Sequence, residues 1–267
     1  MKKVLGVIVL VAIIVALIGV NVLLICGRVS AQNQEEKNPV LSLEIENYGT
    51  VKIELYPDYA PNTVKNIVAL ANNGYYDGKV FYGMDDVAVY VGRGANGETV
   101  NPKLSDIGKS GEEDYEYAID GEFIANRFNQ NTLKHEKGVV SLVRADYTQQ
   151  IQTLVDESYN SGNSQFTIIM NDESAKNLDG LYASFGKVVE GLEIVENIYN
   201  LDVKTDDSED STTSDKSIQA FASAPVITKA TVETFDGKYT LPKVHEAFDY
   251  NEYLNDLMTQ YYTSQNQ

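Results

Sequence analysis

The chain has 267 residues, 43% hydrophobic and 10% aromatic, which is enough apolar material for one sizeable core and too much for a chain disordered throughout. Asp and Glu number 39 against 21 Lys and Arg, and the resulting net charge of -18 repels a phosphate backbone, which argues against a nucleic-acid partner. The single cysteine, Cys26, and two histidines far apart in sequence, His135 and His245, leave Cys/His catalysis and a histidine-rich metal site without their parts.

Residues 4–26 carry no charge and follow Lys2 and Lys3. At about 1.5 Å per residue a helix of that length spans a hydrocarbon core of about 30 Å, and the run is longer than a secretory signal needs. Residues 1–31 are therefore expected to form a single-pass transmembrane anchor, with the lysines inside and the remainder extracytoplasmic. The competing reading is a signal cleaved after Ala31 and a secreted chain, because Val29-Ser30-Ala31 satisfies the small-residue rule. Ile25 stands where a lipoprotein signal requires a small residue, which argues against lipidation of Cys26. Residues 32–39 form a polar spacer.

Leu41, Leu43 and Ile45 alternate with polar residues, Asn47-Tyr48-Gly49 turns the chain, and Val51, Ile53 and Leu55 alternate again, so a hairpin is expected. Pro61 opens a helix whose apolar face is Val64, Ile67, Val68 and Ala71, and Asn72-Asn73-Gly74 stops it. A turn, GYYDG, leads into a short apolar strand around Phe81. Further strands are predicted at 87–91, 138–143, 165–170, 184–188 and 226–235, with a second helix at 191–201. Residues 202–217 are acidic, Ser/Thr-rich and aperiodic, as expected of a solvated loop inserted in a domain spanning 40–238. In the extension 239–267, the stripe Ala247, Tyr250, Leu254, Leu257, Met258 and Tyr261 predicts a helix packed on its own domain. Many short strands and few helices point to a mainly β barrel or sandwich.

Gly92-Arg93-Gly94-Ala95-Asn96-Gly97 has the form G-x-G-x-x-G, but Thr99 to Pro102 follow where a dinucleotide site needs a helix, so it is set aside. The acids Asp85-Asp86 and Glu112-Glu113-Asp114 lie in polar, turn-like stretches and read as solvated loops.

Five stretches in order and register carry a family resemblance. They are Ala60-Pro61-Asn62-Thr63-Val64-Lys65-Asn66; Gly74-Tyr75-Tyr76-Asp77-Gly78 leading to Phe81; Gly138-Val139-Val140-Ser141; Ser164-Gln165-Phe166; and Leu178-Asp179-Gly180 with Phe185-Gly186-Lys187-Val188. Together they resemble the cyclophilin family of peptidyl-prolyl cis-trans isomerases, or rotamases, over about residues 40–235. Gly121-Glu122-Phe123 and Lys134-His135 resemble its bacterial exported branch. The resemblance implies a closed eight-stranded antiparallel barrel capped by two helices, a surface groove for proline-containing peptides of exported clients, a role in protein folding, and no metal or cofactor.

It also implies a degenerate active site. The position of the family's arginine, two residues after Phe81, is Gly83; the phenylalanine, methionine and glutamine of the next block fall on Ala88, Val89 and Val91; and a pocket phenylalanine is Thr167. The substrate-binding positions that match are Val143, Arg144 and Ala145 on the groove strand, with Gln165, Leu178 and Tyr182. Arg144 is the candidate substitute cation. Residues 147–159 are expected to form a short helix beside the groove. Two readings follow: an extracytoplasmic isomerase of weak turnover, or a non-catalytic module that binds proline peptides or proteins.

Overall fold

Period-two alternation places Leu41, Leu43, Ile45, Val51, Ile53 and Leu55 on one face, and all six are buried in the computed structural model, which describes residues 37–111, 113–204 and 218–265. Burial of each such side chain contributes about 1.5–3 kcal/mol. They belong to β1 (Val40–Ile45) and β2 (Gly49–Leu55), paired antiparallel with Leu43 opposite Val51. The turn between them needs left-handed backbone, supplied by Asn47 at φ 64° and Gly49 at φ 116°.

The remaining strands are β3 (Val80–Met84), β4 (Ala88–Arg93), β5 (Tyr117–Ala118), β6 (Val139–Leu142), β7 (Phe166–Ile169), β8 (Ser184–Glu190), β9 (Gln219–Ala220), β10 (Ile227–Glu233) and β11 (His245–Glu246). Of the eleven strands among the described residues, nine make one sheet in the order β10-β1-β2-β8-β6-β7-β4-β3-β9, antiparallel throughout; β5 and β11 pair separately. The sheet curls until β3 approaches the start of β10. There Val80 bridges Val226, Phe81 N–H donates to Pro225 O (2.9 Å) and Ile227 N–H donates to Lys79 O (2.8 Å).

The expected closed eight-stranded barrel is therefore corrected to a curled, open sheet of nine strands. Two local causes interrupt closure. Pro225 has no N–H with which to extend a ladder, and the outer edge of β3 is taken by β9, with Gly83 opposite Ala220 and Met84 opposite Gln219.

Helix α1 (Pro61–Asn72) packs beside β10, and buries Val64, Ile67, Val68 and Ala71 as its spacing predicts. Its start is capped from afar: the Asn62 and Thr63 N–H groups donate to the two oxygens of Glu122 (2.9 and 2.7 Å), and Thr63 Oγ1 adds a third bond (2.8 Å). Burial pushes the Glu122 carboxyl above its usual range, against the pull of those three bonds. Two short helices follow, α2 (Val155–Tyr159) and α3 (Asp172–Ala175). Helix α4 (Leu192–Tyr199) then buries Val195 and Ile198 beside β2 and β4.

Two further expectations change. Helix α5 (Tyr250–Gln265) begins later than the stripe implied and buries no residue; Leu257, Met258, Tyr261 and Tyr262 are exposed. The residues before it instead run as a strap, with β11 paired to β5 and Ala247 N–H donating to Glu116 O (2.9 Å). A backbone ladder competes better for this segment than a stripe interrupted by Asn251, Glu252, Asn255 and Asp256. The single-pass membrane expectation is also corrected: among the described residues no helix is long and apolar enough to cross a membrane. Residues 4–26, the Ala31 cleavage position, Glu112 and residues 205–217 of the acidic loop lie outside the described residues.

Candidate functional site

A cavity of about 510 Å³ opens across the outer face of β3, β4, β7 and β6. Val143, Arg144, Ala145, Gln165, Leu178 and Tyr182, widely separated in sequence, all line it. Gly83 does not.

The wall after β6 rests on a buried polar array. His135 is 3% exposed, and both its backbone N–H (2.9 Å) and its ring Nδ1 (3.0 Å) lie against Asp179 Oδ1. Its Nε2 lies 3.0 Å from Ser141 Oγ and 3.1 Å from Ser184 Oγ. Burial lowers the His135 pKa, and this outweighs Asp179, which favours the protonated ring. Burial opposes ionisation of Asp179, but bonds from the His135 backbone and ring and from Lys134 hold its carboxyl below the usual range. A neutral imidazole donating from Nδ1 to a carboxylate and accepting a hydroxyl proton at Nε2 satisfies this geometry. The array ties Asp179, beside Leu178, to Ser141 at the foot of the Val143–Ala145 segment. Val143 N–H then donates to Gln165 O (2.9 Å), and Ala145 N–H to Ser161 Oγ (2.8 Å).

Arg144 is the anchor of this wall's rim. Its guanidinium lies 4.5 Å from the Tyr182 ring centroid, 5.1 Å from Tyr159 and 5.7 Å from Phe123, while Nε donates to Leu181 O and Nη1 to Ala145 O, each at 3.2 Å. The 147–159 segment is a 3-10 turn (Tyr147–Gln149) and α2 rather than one helix. Tyr147 lines the groove and stacks on Tyr250 at 5.4 Å with an interplanar angle of 8°, so the first residue of α5 is a groove residue.

The opposite wall departs from the residues expected of it. Val89 and Val91 point into the core, fully buried, whereas Ala88 and Tyr90 face the groove, as alternation along β4 requires. Tyr90 hydroxyl donates to Asp85 Oδ2 (2.7 Å), and Tyr82 lies beside it with centroids 5.8 Å apart. Gly83 packs against β9: a Cβ there would stand 2.6 Å from Gln219 O and 2.9 Å from Ile218 Cγ2. Ile218 itself lines the cavity.

Arg93, within the glycine-rich run, ends β4. Its guanidinium sits 4.2 Å from the Tyr82 ring centroid, and Nε donates to Gln165 Oε1 (3.3 Å). Tyr82, Tyr90, Arg93, Ile218 and Tyr250 are thus groove residues that the sequence reading missed. Alternation outward from the buried Val89 and Val91 was the available signal for Tyr90.

A sequence model of the family described as cyclophilin type peptidyl-prolyl cis-trans isomerase/CLD matches residues 40–223. Peptidyl-prolyl cis-trans isomerase B of Bacillus subtilis is 32% identical over 159 residues, covering 60% of this chain and 90% of that protein. Peptidyl-prolyl cis-trans isomerase-like 2 of Rhizopus delemar is 29% identical over 178 residues, 66% of this chain, and the aligned part makes up only 28% of that longer protein. A crystal structure of a Cryptosporidium parvum cyclophilin type peptidyl-prolyl cis-trans isomerase, determined in the presence of the dipeptide Ala-Pro, overlaps 73% of this chain and 98% of its own at 23% identity and a TM-score of 0.49.

Proposed function

We propose a function from one premise: the chain belongs to the cyclophilin-type peptidyl-prolyl cis-trans isomerase family. In this reading it catalyses rotation about X-Pro bonds of peptides laid in the groove, with turnover slower than in a relative bearing an arginine at position 83. The observation that carries it is the convergence of Val143, Arg144, Ala145, Gln165, Leu178 and Tyr182 on one cavity.

Rotation crosses a barrier of about 18–20 kcal/mol because the twisted amide loses its resonance. No covalent bond is made or broken, so the protein's contribution is to grip the flanking chain, seat the ring and favour the twisted state. With the Val143 and Ala145 N–H groups held by Gln165 O and Ser161 Oγ, the Arg144 backbone between them is the part of this segment suited to pair with an extended peptide. Ala88, Leu142 and Leu178 give an apolar surface for the proline ring, and the side chain of Gln165, just before β7, lines the groove with an amide suited to the peptide backbone. The packing of β9 against Gly83 leaves no room for a side chain from that strand position, which supports reduced turnover.

That same packing favours the second reading, a groove that binds proline peptides without turning them over. Exchange between cis and trans signals of a short Ala-Pro peptide, measured by NMR with and without the full-length protein, separates the two. Protein-dependent exchange supports isomerase activity. Binding without exchange supports the second reading, and neither effect at millimolar peptide would contradict both.

A further inference from the structure

We infer that Arg93 is the catalytic guanidinium of this groove, donating a hydrogen bond to the prolyl nitrogen as the amide twists. The inference rests on the isomerase reading and assigns to the β4 wall a role for which Arg144 was the sequence candidate.

Arg144 lies over three aromatic rings at the rim, with Nε and Nη1 on Leu181 O and Ala145 O, so stacking on several sides holds its plane against that wall. Position 83 can present nothing, because Gln219 O and Ile218 occupy the space a side chain would enter. Arg93 lines the same cavity from the adjacent strand. It is 9% exposed, and among the described residues its ring and hydrogen-bond contacts are the Tyr82 ring, the Gln165 amide oxygen and, at 3.4 Å from Nη1, Gly97 O.

Burying a guanidinium among neutral groups is costly, and an aliphatic side chain would fill the site more cheaply. The arrangement makes chemical sense if the charge has a partner during reaction. A guanidinium carries five N–H donors in a rigid fork, so one that holds two protein acceptors still has donors for a peptide. Its fixed position over Tyr82 and beside Gln165 also means little reorganisation when charge shifts in the substrate.

That shift is specific to the reaction. In the planar amide the nitrogen lone pair is delocalised into the carbonyl and accepts hydrogen bonds poorly. Twisting the C–N bond localises the pair on the prolyl nitrogen, where an N–H donor engages it. Such a donor acts on the twisted state far more than on the bound planar peptide, so it raises kcat rather than affinity. No proton is transferred, and the lone pair returns to the amide as planarity is regained.

The test compares the full-length protein with Arg93→Ala, Arg93→Lys and Arg93→Met on one short Ala-Pro peptide, reading kcat and KM from exchange rates, Kd from chemical-shift titration and Tm from circular dichroism. The expected result is a fall in kcat of at least about tenfold in Arg93→Ala and Arg93→Met with Kd within about threefold of wild type. Arg93→Lys should retain more of the rate than either. Arg93→Met keeps an apolar stem over Tyr82 and decides the matter if the alanine variant is poorly folded. An unchanged kcat, or a rate loss matched by an equal loss of affinity, would overturn the role of Arg93 while leaving the isomerase reading intact. A wild-type protein without turnover would overturn both.

Discussion

The two walls of the groove are built on different principles. The wall formed by Val143–Ala145, Leu178 and Tyr182 stands on the His135–Asp179–Ser141 array, and each of its residues lines the cavity. On the facing wall of β3 and β4, the two-residue strand β9 pairs with Gly83, and Ile218 just before it lines the cavity. A supported wall preserves its side chains because moving one leaves a buried polar group unpaired. Where β9 docks, backbone contact fills the space beside Gly83, and the guanidinium this wall presents to the groove is that of Arg93.

The largest expected effect comes from breaking the supported wall. Asp179→Ala leaves the His135 ring and backbone N–H without their acceptor, and a buried polar group stripped of its partner costs about 1–3 kcal/mol. Urea denaturation should show a loss of that order or more, accompanied by weaker peptide binding because Leu178 is adjacent. Retained stability would mean the array does not support the wall.

Placing an arginine at position 83 should fail. Gly83→Arg places its Cβ against Gln219 O and Ile218, and overpacking of this kind costs about 1–3 kcal/mol unless β9 detaches. Thermal melting should fall and the isomerisation rate should not rise. A faster, equally stable variant would show that β9 yields readily, and the contrast between the walls would disappear.

Acid should distinguish the walls as well. Burial lowers the His135 pKa from its ordinary 6.5, so the unfolded chain takes up a proton that the folded chain resists. The resulting stability is fully present above pH 6.5 and is lost as pH falls toward the depressed folded value. Stability measured from about pH 8 to 5 should decline more steeply in wild type than in His135→Asn, which has no titrating ring. Equal slopes would contradict a neutral, buried His135. Asp179 contributes in the same direction, but only at more acidic pH, below the ordinary carboxylate value, where its carboxyl begins to protonate.

The smallest effect belongs to the rim. Arg144 is partly exposed, and each of its ring contacts is worth about 0.5–1 kcal/mol at such a site. Arg144→Ala should lower stability by about 1 kcal/mol and peptide affinity by only a few fold. A loss of turnover at unchanged affinity would transfer to Arg144 the role inferred for Arg93.

These differences track what was legible in the sequence. Leu41, Leu43 and Ile45 announce β1 by period two, and Pro61 with Val64, Ile67 and Val68 announces α1, because local pattern and tertiary burial agree there. Residues 166, 178 and 185 fall in motifs whose neighbours share one environment, so they could be placed by resemblance. Strands β5, β9 and β11 have two residues each, too few for any period, and are created by their partners. Gln219 therefore gave no sign that it would fill the space beside Gly83. Arg93 was hidden by the glycines around it, and the distant cap from Glu122 to Asn62 and Thr63 has no local signature at all. The tail stripe ending at Tyr261 shows the opposite failure: a period can be present without a surface to receive it.

The central claim is that one groove both holds and turns a prolyl peptide. Two-dimensional exchange spectroscopy of an Ala-Pro peptide with a substoichiometric amount of the full-length protein tests it most directly. The account predicts cis–trans cross-peaks whose intensity rises with protein concentration and falls in Arg93→Ala. Cross-peaks absent at every protein concentration, from a protein that still shifts the peptide's resonances, would contradict it.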